Sequence, residues 1–237
     1  CAGKTAAGMI SPLSELVESN FSIYEMGLDS LQLWPNWLEQ LQSDGGQLVP
    51  YCTNGSLLLA HAADVSELEQ FKQQIDVKLQ QVTQKKVTYQ HWDGVQLKKH
   101  VPLLATNFQQ ALWLNDEAYI DNECLLQQLA NYIEVSDITT CFGRPVSLSS
   151  QDKDSLYIDQ SQYDYVFDFR GLGAQISNLR GVRGELLHVY CPEVRLEYAV
   201  RLMHPRYKLY LVPKGEGHYV IGATELESND RSAMSLQ

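Results

Sequence analysis

No stretch of this 237-residue chain stays apolar long enough to span a bilayer, which takes about 20 consecutive apolar residues. The first residues, Cys1 to Thr5, are not a basic region followed by an apolar one, so no secretion signal is read there. Five cysteines (Cys1, Cys52, Cys124, Cys141 and Cys191) stand at scattered positions without a Cys-x-x-Cys or His/Cys pattern, which argues against a zinc site and a disulfide framework. Reduced thiols and a cytoplasmic location are expected. There is no Gly-x-Ser-x-Gly elbow, no Walker A loop and no His-Glu-x-x-His pair. Gly3-Lys4-Thr5 has the tail of a phosphate loop, but nothing before it supplies the glycine cradle. Positive charge is scarce: 18 Lys and Arg oppose 29 Asp and Glu, for a net charge of −11. A protein this acidic is not built to bind nucleic acid or an anionic membrane.

The arginines that are present concentrate in residues 163–225, which hold Arg170, Arg180, Arg183, Arg195, Arg201 and Arg206. A locally basic region in an acidic chain suits an anionic ligand such as a phosphate or carboxylate; solvated strand-edge arginine is the plainer reading. The same segment opens with an apolar strand, Tyr165 to Phe167, running into Arg170-Gly171-Leu172-Gly173-Ala174. A strand entering a Gly-x-Gly turn brings bare backbone close to something. Strands follow over about 184–190, 197–203, 207–213 and 218–223, the last two joined by the turn Lys214 to Gly217. His204, between Met203 and Pro205, is the one histidine in a suggestive setting; a lone histidine beside a strand is more often structural.

Earlier in the chain, Ser11-Pro12 predicts a helix start, and Pro35 is expected to kink or end the helix that follows. Trp34 and Trp37 read as core. Strands are predicted over 48–51 and 56–61 around the Thr53-Asn54-Gly55 turn. An amphipathic helix is predicted over 64–81, with Leu68, Phe71, Ile75 and Leu79 on one face. Short elements follow: a strand at 87–90, a helix at 93–100, a strand at 108–114 and a helix at 123–133 behind Asp121 or Asn122. Weak strands are predicted at 139–141 and 145–148, before a polar loop at 149–155. Helices and strands neither alternate strictly nor segregate. The expected fold is therefore α+β or α/β: a cofactor-binding layered part interleaved with an antiparallel sheet carrying helices on one face.

Several pieces carry a resemblance. They are Thr5-Ala6-Ala7-Gly8-Met9, Tyr51-Cys52-Thr53-Asn54-Gly55-Ser56-Leu57, Tyr119-Ile120-Asp121-Asn122 before a helix, Pro145-Val146 and Arg170 to Ala174. Leu179 to Glu185, Val200 to Tyr207, Tyr210 to Pro213 and Gly222 to Ser228 extend it over nearly the whole chain. Together they resemble the FAD-dependent D-amino-acid oxidase family, and within it the glycine oxidases of thiamine biosynthesis. The resemblance implies an incomplete Rossmann-type FAD portion interleaved with an antiparallel substrate domain. Residues 1–47 and 116–178 would be cofactor parts; residues 48–115 and 179–237 would be substrate parts.

It further implies that Ala6, Ala7, Gly8 and Met9 line the FAD pyrophosphate and flavin, and that Val146 holds the adenine through its backbone. Gly171, Leu172 and Gly173 would close over the diphosphate side. Arg183, Gly184 and Glu185 would sit near the isoalloxazine. Tyr210 matches the tyrosine of the family's substrate pocket. Arg206 is a candidate replacement for the family's carboxylate-binding arginine, though it matches the His204-Pro205-Arg206-Tyr207 motif and not that arginine. The implied reaction moves a hydride from an amine-bearing carbon to the flavin, yields a 2-oxo acid and returns the electrons to O2 as H2O2. The implied substrate is glycine or another small amino acid or amine, and a homo-oligomer is compatible with it.

The family's Gly-x-Gly-x-x-Gly strand and its Gly-Leu-Arg-Pro-like carboxylate motif have no counterpart in these residues. The expectation is a central portion of a longer protein that binds FAD poorly and turns nothing over by itself. A flavin dehydrogenase with another electron acceptor, and a cofactor-free binding module kept from the substrate domain, are the alternatives left open.

Overall fold

The computed structural model describes residues 2–81, 89–146, 148–150, 156–159, 161–174, 176–207 and 209–233. In chain order these form α1 (Ala2–Thr5), β1 (Met9–Ile10), α2 (Pro12–Leu16), α3 (Phe21–Ser43), β2 (Tyr51–Cys52), β3 (Ser56–Ala60), α4 (Val65–Leu79), β4 (Tyr89–Asp93) and α5 (Gly94–His100). Then come β5 (Gln110–Leu114), β6 (Ala118–Ile120), α6 (Asn122–Val135), β7 (Leu148–Ser150), β8 (Leu156–Ile158) and β9 (Ser161–Tyr163). The last strands are β10 (Leu187–Tyr190), β11 (Ala199–Met203), β12 (Leu209–Pro213) and β13 (His218–Gly222).

The chain divides into two compact units. The first holds Cys1–Val135 and Gly184–Glu225; the second holds Ser136–Arg183 and Leu226–Gln237. The first is built on a seven-stranded sheet in the order β10-β13-β12-β11-β3-β5-β4. Every neighbouring pair is antiparallel except β3 and β11, which run parallel from Ala199↔Ser56 to Met203↔Ala60. β3 reads as a continuous apolar run because both its faces are covered. Leu58 and Ala60 pack with Leu13, Leu16, Tyr24, Leu68, Phe71 and Ile75 of α2, α3 and α4. Leu57 and Leu59 pack on the other side with Trp92, Leu97 and Ala111. Each fully buried leucine contributes about 1.5–3 kcal/mol. A second, three-stranded sheet, β1-β6-β2, completes the unit. The second unit carries an antiparallel meander, β7-β8-β9.

Local chemistry accounts for most element ends. Asp93 accepts from the N–H groups of Val95 (3.0 Å) and Gln96 (2.9 Å), while Gln96 returns a bond to Asp93 N–H, a capping box for α5. Asp121 accepts from Glu123 and Cys124 N–H at the start of α6. α4 starts at Val65 and buries Leu68, Phe71 and Ile75, the face expected of it.

Several expectations change or sharpen. Ser11 makes no side-chain cap, α2 ends at Leu16, and a fresh helix starts behind Asn20, whose side chain accepts from Ile23 N–H. Pro35 lies inside α3 without ending it. A proline cannot donate to the carbonyl four residues back, and that carbonyl, on Leu31, accepts instead from the Tyr51 hydroxyl at 3.4 Å. Tyr165 to Phe167 form no strand: Tyr165 and Phe167 are 80% and 76% exposed. An apolar run becomes a strand only with ladder partners, and none of the described strands pairs with residues 165–170. The region expected as a weak strand at 139–141 is irregular, and the meander begins at Leu148. Residues 87–88 and 151–155, parts of a predicted strand and a predicted loop, lie outside the described residues. Trp34 packs in the cluster of Leu41, Val49 and Ile120, as expected of core, whereas Trp37 meets it edge-on and is half-exposed.

Candidate cofactor and substrate site

The small-residue loop is held tightly. α1 closes with Ala6 N–H on Ala2 O at 2.8 Å. Gly8 takes φ +78°, and a Cβ there would stand 2.1 Å from Ile120 O. Only glycine combines that backbone with that approach. The chain then enters β1, with Met9 opposite Tyr119 on β6, and Ile120 N–H donates to Gly8 O at 2.8 Å. Ala7 is buried, yet among the described residues none accepts from its N–H. A buried backbone donor needs an acceptor. A pyrophosphate oxygen or a flavin ring carbonyl is an acceptor of the right kind, so this loop fits FAD.

Ala7 belongs to a cluster with Ala199, Val212 and Val220, against which Met9, Tyr119, Leu186 and Tyr210 pack. The loop and Tyr210 are thus brought together. Tyr210 sits on β12 opposite Arg201 of β11 and opposite Gly222 of β13. A Cβ on Gly222 would lie 2.7 Å from the Tyr210 hydroxyl oxygen, so the tyrosine ring lies over bare glycine. Burial pushes the Tyr210 phenol up; Arg201 pulls it down and Glu225 raises it again, for a net rise. At neutral pH the phenol keeps its proton and can donate.

From the sequence, Gly222 has no site role, and Arg201 figures only as one of the arginine cluster. The signal for both is strand register: β11 sets Arg201, and β13 sets Gly222, across from Tyr210 of β12. Arg201 reaches Glu15 on α2 at 3.3 Å, while its buried Nε has no acceptor among the described residues. Arg206 stands in the exposed turn, its backbone N–H donating to His204 Nδ1 at 3.1 Å. His204 also stacks on Tyr207. Glu185, in the first unit, donates its N–H to Thr224 Oγ1 at 3.0 Å, and Gly184 leaves ordinary room toward Thr224 O.

The remaining candidates belong to the second unit. Gly171, Leu172 and Gly173 form a 3-10 turn, Gly171 at φ +55° with open space where a Cβ would go. Arg170 before it clamps the Asp168 carboxylate, which that hydrogen bonding holds down at about 2. Val146 is half-buried ahead of the meander. The Arg183 guanidinium is engaged with Asp230 at 3.0 Å and Ser232 O at 2.9 Å, and Arg183 bridges Leu226 through its backbone. Among the described residues no group of acidic, histidine or cysteine side chains could hold a metal, and no helix is long and apolar enough to cross a membrane.

A family model described as FAD dependent oxidoreductase, the DAO family, matches residues 2–236. The chain belongs to that family. A protein of Rhizobium etli named "Putative thiamine biosynthesis oxidoreductase ThiO" is 29% identical over 98% of this chain, which spans 64% of that relative's length. Among solved structures, glycine oxidase from Geobacillus kaustophilus superposes with a TM-score of 0.76 at 21% identity, over 99% of this chain and 64% of that one. Iminodiacetate oxidase from Chelativorans sp. BNC1 gives 0.71 at 18% identity, over 100% and 65%. These likenesses establish the fold: the mixed α/β, D-amino-acid-oxidase-type architecture expected from the motifs is the one observed. FAD is the cofactor of the family by its description.

Proposed function

We propose that this chain carries the flavin-facing loop and the substrate strand of an oxidase that deaminates glycine or a small D-amino acid or amine to the 2-oxo acid, with H2O2 as co-product, in thiamine biosynthesis. One observation carries the reading: Ala7, buried and with no acceptor for its N–H among the described residues, lies on a loop packed against Tyr210. FAD supplies the two-electron acceptor that no side chain here provides. Ala6 to Met9 hold it on one side. Val146, Gly171 to Gly173, Arg183, Gly184 and Glu185 are the further contacts, and the division by role into 1–47, 48–115, 116–178 and 179–237 belongs to the same proposal.

Tyr210 donates to the substrate carboxylate, with Arg201 supplying positive charge across the strand pair; Arg206 is held as a second candidate. The names of the ThiO relative and of the glycine oxidase support glycine chemistry in thiamine biosynthesis. The test is H2O2 release by the complete gene product on glycine, sarcosine and D-alanine. Tyr210→Phe is expected to raise KM about tenfold, one lost hydrogen bond to a charged group, with kcat within threefold. Electrons passed to a dye but not to O2 would make the enzyme a dehydrogenase. Absence of a flavin absorbance band from the complete gene product would sink the proposal.

A further inference from the structure

Lys214 follows β12, four residues beyond Tyr210, and its side chain reaches residues more than ninety positions earlier in the chain. Its Nζ donates to Asn122 Oδ1 at 2.9 Å and to Ile120 O at 3.1 Å. Burial depresses its pKa from 10.5 despite the attraction of Asp121 and Glu123. A lysine drawn out of water against that cost is worth explaining.

Its two acceptors are the groups that hold the Ala6–Met9 loop. Ile120 O is the atom a Gly8 side chain would strike, and Ile120 N–H donates to Gly8 O. Asn122 is buried, and its Nδ2 donates to Gly3 O at 2.6 Å and Lys4 O at 3.1 Å. The Nζ itself would lie 3.2 Å from a Gly8 Cβ. Asn122 can pass order from one to the other because its amide has distinct ends: the oxygen faces the lysine and the nitrogen faces α1. With an ammonium donating to the oxygen, the amide cannot flip without placing its NH2 against Nζ. The loop is thereby locked in one orientation relative to the strand that carries Tyr210.

We propose that Lys214 is the positioning residue of the cofactor loop. Through Asn122 and the Ile120 carbonyl it fixes Gly3 to Met9 at a set distance from Tyr210, so that flavin contact and substrate contact are registered to each other. The inference rests on the reading that Ala6 to Met9 face FAD, and goes beyond it by naming what holds them.

The test compares Lys214→Met, Lys214→Arg and Asn122→Asp in the complete gene product. Two quantities are read: hydrogen–deuterium exchange of the Gly3–Met9 amides, and FAD affinity from quenching of flavin fluorescence. Lys214→Met is expected to speed exchange across the loop and weaken FAD about tenfold. Lys214→Arg, which keeps a cation with several donors, should restore both to within about threefold. Asn122→Asp keeps the lysine satisfied but replaces the donor to Gly3 and Lys4 by an acceptor, so it should loosen the loop while exchange in β12 stays as in the parent; that separates the relay from a general loss of folding. Unchanged loop exchange in Lys214→Met overturns the positioning role. Faster exchange with unchanged FAD affinity overturns the link to the cofactor and, with it, the assignment of this loop to FAD, while leaving membership of the flavoprotein family intact.

Discussion

Glu117 offers the most demanding test of how the first unit is held together. It is 1% exposed, between β5 and β6. Its Oε1 accepts from Ser14 N–H at 2.8 Å, bridging 103 residues of sequence. Oε2 accepts from the Ser56 hydroxyl, and its carbonyl accepts from Gly55 N–H at 3.1 Å. Ser14 is the third residue of α2, one of the helix-start N–H groups that have no partner within the helix. Glu117 therefore caps a helix from across the fold and ties it to β3.

Glu117→Ala removes two hydrogen bonds and strands two buried donors, a loss of about 1–3 kcal/mol for each. The net expectation is about 3–5 kcal/mol. At about 2–4 °C per kcal/mol for a chain of this size, the midpoint of the unit's calorimetric transition falls by about 10 °C. Glu117→Gln still accepts from Ser14 but turns a donor toward Ser56, whose hydroxyl must then rotate away, costing about 1 kcal/mol. A double-mutant cycle with Ser56→Ala isolates one arm and should show coupling above about 0.5 kcal/mol. An alanine variant that melts within about 3 °C of the parent would refute the reasoning, because the two donors would then have found other partners.

Other perturbations follow from the same geometry. Gly8→Ala forces a Cβ to 2.1 Å from Ile120 O at φ +78°, so FAD titration should show affinity lost by more than tenfold, with melting lowered by about 2–3 kcal/mol. Gly222→Ala pushes on the Tyr210 ring; steady-state kinetics should reproduce the KM rise of Tyr210→Phe without removing the hydroxyl. Lys214 predicts a pH effect of definite sign. Its folded pKa lies below 10.5 because of burial, so between that depressed value and 10.5 the unfolded chain binds more protons. Stability then rises with pH through that window, and denaturant titrations should show parent gaining on Lys214→Met as pH climbs toward 10.5.

What the sequence revealed follows the range of each interaction. α4 was readable because its apolar spacing is local and nothing overrides it. α5 was readable because Asp93 and Gln96 close their capping box within four residues. Around Pro35 the helical spacing of Trp37, Leu38 and Leu41 was readable, but the rescue of Leu31 O was not, because it comes from Tyr51, which proline rules for a single helix do not contain. The aromatic run at 165–169 misled for the converse reason: its apolar character is real, but strand formation is a property of two segments. Arg206 drew attention as a stand-in for the family's carboxylate-binding arginine, whereas Arg201 is the one the hairpin register sets opposite Tyr210. The roles of Gly222 and Lys214 were likewise invisible, since each depends on a neighbour that lies across a sheet or more than ninety residues away.

The sheet explains why the site is assembled from such distant pieces. β3 and β11 pair in parallel, from Ala199↔Ser56 onward. That pairing joins the β3-β5-β4 half, which rests on the α2–α3–α4 layer, to the β10–β13 half that carries Tyr210 and Gly222. A parallel pair cannot be made by a hairpin, so this contact closes a loop of more than a hundred residues and is the costly step in forming the sheet. Tyr210, Arg201 and the Ala6–Met9 loop acquire their mutual geometry only once it has formed, because Ala7 packs on Ala199, the first residue of β11. A charged residue at Leu58, buried on β3 beside Arg201, should therefore remove loop protection and Tyr210 protection together in hydrogen exchange. Loss of one with retention of the other would mean that the two halves of the site form independently, and that the parallel pair does not organise them.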